Sequence, residues 1–518
     1  MIFDALIIVS YFVIIMVVGI AAAQRHTRTT AEEYFLASRS LRWPSIAIST
    51  IATNIHAGHF LGMAGSAYLF GLAQANLEIN AIFGILMATF IFVPYYLRAR
   101  VTTISEFFGA RFGPKVGLTY SVLMMVLYAF MYLGSALFWG AWAIDGIFGE
   151  FVSFLGDSAP VRLGCMVVIL GVFSATYTYL GGLSAVVRTD MVQFALLVVG
   201  GLLMLGLAIH ELGGWSELYR QTPHKMHLHL PADHKTLPWI ALIGMNLLNL
   251  NYWGANQIIL QRAIAAKSLA HAQIGLLVGG VLKYLMVLII IVPAIALVGI
   301  TAANPLTDPD QAYATMVKTL LPSGVRGIIL CGLFASLMST VDSIFNSVST
   351  LWSVDIYKRY IKTDANDMEM VRAAKWAIVG TLLTGVSFAF IQIYIKFDNP
   401  EFPLTHWFNE LSYTVKNGFV LLIVAATFLL RPSPRLVLTM LVISIPLTMA
   451  FKLGFPDMNY FVRAMWIIVG LVLGTAIPTW AKHGWRLEVK LVESSSPAVA
   501  RFGVALAASL IACHIVFH

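Results

Sequence analysis

Three hydroxyl side chains, Ser336, Ser339 and Thr340, stand at i, i+3 and i+4, the spacing that stacks side chains on one face of a helix. A single Ser or Thr in an apolar helix usually bonds back to its own backbone. Three on one stripe offer oxygens, the ligand type that a hard cation takes. A second segment supplies the rest of a neutral oxygen cage. The run 44–70 is apolar except in its middle, where Asn54, His56, Gly58, His59 and Gly62 crowd together. Unwinding near Ala52 and Ile55 would free backbone carbonyls to face the stripe. Elsewhere two opposite charges, Glu78 and Lys283, lie inside apolar runs. Ionised groups survive there by pairing or by facing a cavity.

The elements that must position these residues follow from composition. Of 518 residues 59% are apolar and 11% are charged, against roughly a quarter charged in a soluble chain. The apolar residues run in blocks close to the length that crosses a bilayer. A cytosolic enzyme, a secreted domain and a nucleic-acid binder are excluded on that ground. The formal charge of +8 reads as basic residues gathered on one side of a membrane.

Blocks of spanning length fall near 3–23, 44–70, 76–98, 118–148, 161–182, 190–210 and 237–262, then 274–300, 322–354, 373–396, 406–430, 436–453, 460–480 and 499–517. The expectation is an all-α polytopic membrane protein of about 14 transmembrane helices. No basic residue precedes the first block, whereas Arg25 and Arg28 follow it. That polarity is the reverse of a signal peptide, so a retained helix with its amino terminus outside is expected. Alternation then puts the basic connections, among them 24–42 and 98–117, inside, and both termini extracytoplasmic. The run 237–262 is interrupted like 44–70, by Asn246, Asn249, Asn251, Asn256 and Gln257. Each interrupted segment opens a group of five blocks, 44–210 and 237–430. Paired discontinuous helices in corresponding places point to an inverted-repeat transporter with a midplane site. The remaining parts are a peripheral helix and loop over 1–43, an extracytoplasmic loop over 211–236 and three peripheral helices over 431–518.

Other chemistry is poorly served. Cys165, Cys331 and Cys513 each sit in an apolar run without a second cysteine or a histidine at ligand spacing, and read as small buried hydrophobes. The loop histidines His224, His227, His229 and His234 fit no standard metal pattern, and Pro223 and Pro231 suggest an ordered surface loop. An embedded enzyme would need a nucleophile and base at midplane. Only His56 and His59 are near, with no partner motif.

The stretch from Tyr34 to Phe112, with YFLASRSLRWPSIAISTIATNIHAGHFLGMAGSAY and TTISEFFGARFG, resembles the sodium/solute symporter family. YLGGLSAVVRTDMVQ at 179–193, NYWGANQIILQRAIAAKS at 251–268 and SLMSTVDSIFNSVSTLWSVDIYKRY at 336–360 continue the resemblance in order. It implies a LeuT-like core of two inverted five-helix repeats, solute uptake coupled to sodium, and no organic cofactor. It carries the sodium site onto the backbone of Ala52 and Ile55 and the hydroxyls of Ser336, Ser339 and Thr340. The aspartate of a further cation site falls on Asp190. Asp342 departs from the hydroxyl or small residue usual there, and reads either as a helix-end carboxylate bonded to a neighbour or, with Asp190, Ser339 and Ser343, as the lining of a second cation site.

Within that family the chain is similar to the sodium–glucose cotransporter branch. The resemblance implies a solute pocket from Asn54, His59, Glu78, Asn80, Asn249, Lys283 and Asn409, closed on the inside by Tyr252 and Trp253. Sugar hydroxyls both donate and accept, so a carboxylate, an ammonium, amides and an aromatic wall suit them. Ile79, Asn251 and Asn409 depart from the branch's usual residues. The expected function is sodium-driven import of a monosaccharide or related polyol across the cell membrane. The alternative cargo is an amino acid, a carboxylate or a sialic acid. A carboxylate at Glu78 disfavours an anionic solute.

Overall fold

An apolar run inside a bilayer can satisfy its backbone only within itself, and here nearly every such run is helical. The computed structural model describes residues 2–24, 30–55, 59–322, 324–399, 404–485, 487 and 492–518. Among these there is no strand, and bridging is confined to isolated pairs such as Leu41 with Ala266. Eleven helices are long and apolar enough to cross a membrane on their own. That is fewer than the fourteen expected, because one run merges two neighbouring blocks and both interrupted segments are broken, so that neither counts as a span of its own.

The merger is Ala159–Leu212, 54 residues in which two helices join across a kink. The break falls at Gly182, where the block 161–182 ends, and the connection expected near 183–189 is itself helical, with Thr189 buried in the protein. The only departure from helical dihedrals is Gly182, at φ 53°. A Cβ there would stand 2.4 Å from the Tyr34 carbonyl oxygen, so glycine is required twice over. The Tyr34 hydroxyl reaches the Thr178 and Tyr179 carbonyls at 3.2 and 3.1 Å, which the kink would otherwise leave short of partners.

Trp43–Asn54 is the first half of the first interrupted segment and ends in Ile55, whose backbone is extended. Helix resumes beyond it, with Ala64–Phe70 its regular part. The second interrupted segment is Ala241–Gly254 followed by Gln257–Ile264. Asn256 caps the second piece, its side chain accepting from the Ile258 amide at 3.1 Å. Three tyrosines close the break. Tyr96 donates to the Gly254 carbonyl, Tyr120 to the Ala255 carbonyl and Tyr128 to Asn256 Oδ1. This second break is therefore sealed by protein, and its carbonyls are not free for a ligand.

Val325–Thr350 carries the hydroxyl stripe and is buried along nearly all of its length. It packs against Ala159–Leu212, Ile2–Gln24 and Trp43–Asn54, so it is the central helix. Pro434–Gly454 and Pro497–Val516 are the least buried of the long helices and lie at the periphery.

Candidate cation and solute sites

The central helix meets the first interrupted helix at the unwound turn. Thr340 Oγ1 donates to the Thr53 carbonyl at 3.3 Å and shares its hydrogen with the Ser336 carbonyl at 3.1 Å. Ser336 bonds back to Leu333 at 2.9 Å. The structure thus brings Thr340 up to the segment holding Ala52 and Ile55, a contact that spacing alone could not establish, while the Ser336 hydroxyl stays on its own helix. Ser339 turns elsewhere on the stripe and donates to Asp190 at 2.5 Å.

Asp190, Asp342 and Ser343 also converge, and they do so around a residue that sequence reasoning passed over. Arg262, from Gln257–Ile264, is fully buried. Its Nε donates to Ser49 at 3.0 Å, one terminal nitrogen to Thr53 at 2.9 Å and to Ser343, and the other to the Ile258 carbonyl at 2.5 Å. Asp190 Oδ2 is 3.5 Å from the guanidinium and accepts from Ser49 at 2.5 Å. Asp342 accepts from the Tyr177 hydroxyl at 2.7 Å and from Ser343 at 3.3 Å. The signal for Arg262 in the sequence is a basic residue five positions into the resumed helix, after Gln257, and its side chain faces Ser49 and Thr53 only once folded.

The solute candidates form a second cluster one residue further along the same turn. Lys283 Nζ lies 2.8 Å from Glu78 Oε2 and also donates to Asn54 Oδ1. Asn54 Nδ2 donates to the Tyr252 hydroxyl at 2.6 Å. Trp253 lies beneath, its ring centroid 5.7 Å from the Lys283 ammonium. Glu78 and Lys283 are 4% and 2% exposed, so their charges are stable only as a pair. Close packing holds the wall in place. A Cβ on Gly84 would meet Trp253 Cδ1 at 2.5 Å and the Asn249 carbonyl at 2.8 Å.

Asn80 and Asn249 are near one another but are tied to the scaffold. Asn249 Nδ2 donates to the Asn80 carbonyl at 3.1 Å, and Asn80 Nδ2 donates to Asn76. The side chains of His59 and Asn409 lie outside the described residues. No group of three or more histidine, cysteine, aspartate or glutamate side chains among the described residues is arranged to hold a metal ion.

Residues 34–429 match the model of the sodium:solute symporter family. The chain is 34% identical over 430 residues to sodium/glucose cotransporter 1 of Oryctolagus cuniculus, covering 75% of this chain and 63% of that protein. It thus spans less than two thirds of the length of the mammalian relatives it matches. Against the sodium/glucose cotransporter of Vibrio parahaemolyticus it is 32% identical over 437 residues, covering 77% of this chain and 78% of the other. In fold it is similar to a Na+-coupled sialic acid symporter in a substrate-bound outward-open state. The TM-score is 0.79 at 18% identity, covering 94% of this chain and 99% of the other.

Proposed function

The chain belongs to the sodium:solute symporter family, and on that premise we propose that it imports a monosaccharide or related polyol with sodium by alternating access. One observation carries this reading. The same unwound turn serves both clusters: the Thr53 carbonyl accepts from Thr340 on the cation side, while the Asn54 side chain joins Lys283 and Tyr252 on the solute side. A cation taken by Ala52, Ile55, Ser336, Ser339 and Thr340 stiffens the backbone that aims Asn54. Binding at one cluster then favours binding at the other, which is the thermodynamic content of coupling.

The solute cluster suits a neutral polyhydroxyl ligand. Glu78 accepts, Lys283 donates, Asn54 does both, and Trp253 offers a face on which a ring can lie. A bound hydroxyl can exchange for each contact within the network without leaving a buried charge alone. An anionic solute would meet the Glu78 carboxylate, which is why sugar is preferred over a carboxylate or sialic acid.

The eleven independent spans support a total of fourteen. Gly182 divides Ala159–Leu212 into two helical stretches, each long enough for one crossing at about 1.5 Å per residue. Each of the two interrupted segments adds one more, so 11 + 1 + 2 gives 14. The two interrupted helices open two inverted five-helix repeats, and the basic connections face the cytoplasm across the cell membrane.

Uptake of a panel of labelled sugars, polyols, amino acids and sialic acid into proteoliposomes, with and without an inward sodium gradient, tests the reading. Accumulation of a monosaccharide or polyol only with the gradient is the expected result. Sodium-driven uptake of an amino acid or a carboxylate instead would replace the cargo and keep the coupling.

A further inference from the structure

The last helix, Pro497–Val516, brings His514 against Asn80, two residues after Glu78. The hydrogens there have one consistent arrangement. The Asn76 carbonyl can only accept, so the Asn80 atom 3.1 Å from it must be the amide nitrogen. Asn80 Oδ1 therefore faces the opposite way, 3.4 Å from Asn246 Nδ2 and 3.3 Å from His514 Nε2. An amide oxygen cannot donate, so His514 carries its hydrogen on Nε2. In a neutral ring that leaves Nδ1 as a bare acceptor.

His229 Nε2, from the loop 211–236, stands 3.0 Å from that Nδ1 and must be the donor. The Nδ1 of His229 is then without hydrogen, and it is buried with no hydrogen-bond partner among the described residues. The two rings stack with centroids 5.1 Å apart. The polarity runs from His229 through His514 to Asn80. The same stretch of loop is laced to the end of the helix by the Leu228 amide on the Phe517 carbonyl at 2.6 Å and by His227 on the His518 carbonyl at 2.8 Å.

We propose that His514, its tautomer set by His229, is a positioning residue for Asn80 beside the solute pocket, and that acid breaks its contact with His229, frees the loop from the last helix and, with the ring no longer braced, weakens solute binding. This rests on the pocket reading above. A proton on His514 Nδ1 turns the acceptor into a donor, so two N–H groups face each other and the contact with His229 is lost. A proton on His229 Nδ1 keeps that bond but sets a charge against the neighbouring imidazoles. The titratable groups around the pair are His227, His518, Cys513 and Tyr284. Glu78, the nearest acid along the chain from Asn80, is paired with Lys283. Burial, then the His518 ring, already holds His229 below the ordinary histidine range. The docked loop thus binds fewer protons than a free one. Docking is fully favoured above about pH 6.5 and weakens as the pH falls through that value.

Labelled D-glucose binding to the full chain in nanodiscs, measured from about pH 7.5 to 5.5, tests this, alongside hydrogen exchange of residues 224–234 corrected for intrinsic pH effects. The expected result is a loss of affinity of up to about tenfold for each pH unit in the titrating range, one proton being linked, together with faster exchange in the loop. Glutamine can donate from Nε2 and accept at Oε1 without titrating, so His514→Gln is expected to keep neutral-pH affinity and lose the acid sensitivity. A flat wild-type profile, or an unaltered acid response in His514→Gln, overturns the proposal. If D-glucose binds at no pH, the pocket reading fails for that sugar. Exchange then decides the latch, and acid-insensitive exchange in 224–234 overturns it.

Discussion

The Arg262 guanidinium lies 3.5 Å from the Asp190 carboxylate, with both side chains closed off from solvent. Asp342 is equally buried and reaches the same network through Ser343. One fixed positive charge thus faces two carboxylates. With both ionised the cluster carries one negative charge too many for a dehydrated position, and a translocated cation would close the count.

That arithmetic predicts more than one cation per solute, with the extra one lost in Asp342→Asn. Each charge moving through 100 mV supplies about 2.3 kcal/mol. At about 1.4 kcal/mol per tenfold, one ion concentrates solute about 45-fold and two about 2,000-fold. Reversal potentials of reconstituted protein give the charge-to-solute ratio directly. A wild-type ratio of one means that one of the two carboxylates is held protonated beside Arg262 and no second ion binds.

Removing the arginine itself is expected to be costly. Arg262→Met leaves both carboxylates buried without their partner, a change of roughly 3–5 kcal/mol in stability. Adding Asp190→Asn should recover part of that, because the two substitutions share one interaction. Thermal unfolding in detergent checks it. Strict additivity of the two losses would mean that the pair is not coupled.

Ser339→Ala and Thr340→Ala are expected to raise the sodium concentration for half-maximal uptake, and to lower apparent solute affinity with it. Thr340 is the cleaner probe, because its hydroxyl is the one that touches the unwound turn at Thr53. Ser339→Ala also removes a bond to Asp190. Unchanged sodium dependence in both variants would remove the hydroxyl stripe from the cation site.

Glu78→Gln and Lys283→Ala should each weaken solute binding by roughly 1.5–3 kcal/mol, through a lost charge-assisted hydrogen bond and a partner left buried. Sodium binding measured without solute should change much less. Equal loss of sodium binding in both variants would instead identify the pair as a brace between helices.

Several of these relationships were readable before folding, and the reasons differ. Asparagines, glycines and histidines in the middle of apolar runs marked both interrupted helices, since such residues are expensive in hydrocarbon unless the helix opens around them. Glu78 and Lys283 stood out as opposite charges in apolar runs, which must pair or face a cavity, and folding brings them together across 205 positions. Arg262 was not legible, because a basic residue near the end of a span is ordinarily at the membrane surface. Its burial depends on Ser49, Thr53 and Ser343 arriving from two other helices. The tyrosines that seal the second break were hidden for a similar reason. Tyr96, Tyr120 and Tyr128 sit in runs where aromatic residues are common, and only their hydroxyl positions give them a role. The loop histidines had no ligand spacing of their own. Their partner, His514, lies 285 residues from His229.

Arg39 makes the last prediction, at the face expected to be cytoplasmic. Its guanidinium bonds Glu32 at 3.1 Å, the Ile264 carbonyl at 3.2 Å, and the Arg100 and Val101 carbonyls at 3.0 and 3.1 Å. It therefore ties the end of the second interrupted helix to the helix that follows the first. Leu41 adds two backbone bonds to the same seam, with Ala265 at 3.1 Å and Lys267 at 2.9 Å. Residues Ala37, Ser38 and Arg39 all have positive φ, at 47°, 54° and 47°. Left-handed conformations cost side-chain-bearing residues roughly 1–2 kcal/mol each, so the turn is held against its own preference by the bonds that Arg39 makes. Cavities of about 640 and 500 Å³ flank Arg39 and Glu32 on either side, giving water access to the clamp once it loosens. Arg39→Ala should therefore favour opening of this face, and Ser38→Gly, which relieves the strain without touching the clamp, should favour its closure. The readout is the labelling rate of Ala266→Cys by an impermeant maleimide, in a background with Cys165, Cys331 and Cys513 replaced. Faster labelling in Arg39→Ala and slower labelling in Ser38→Gly is the expected pattern. Equal rates in all three would show that the seam is held by the Leu41 backbone bonds alone.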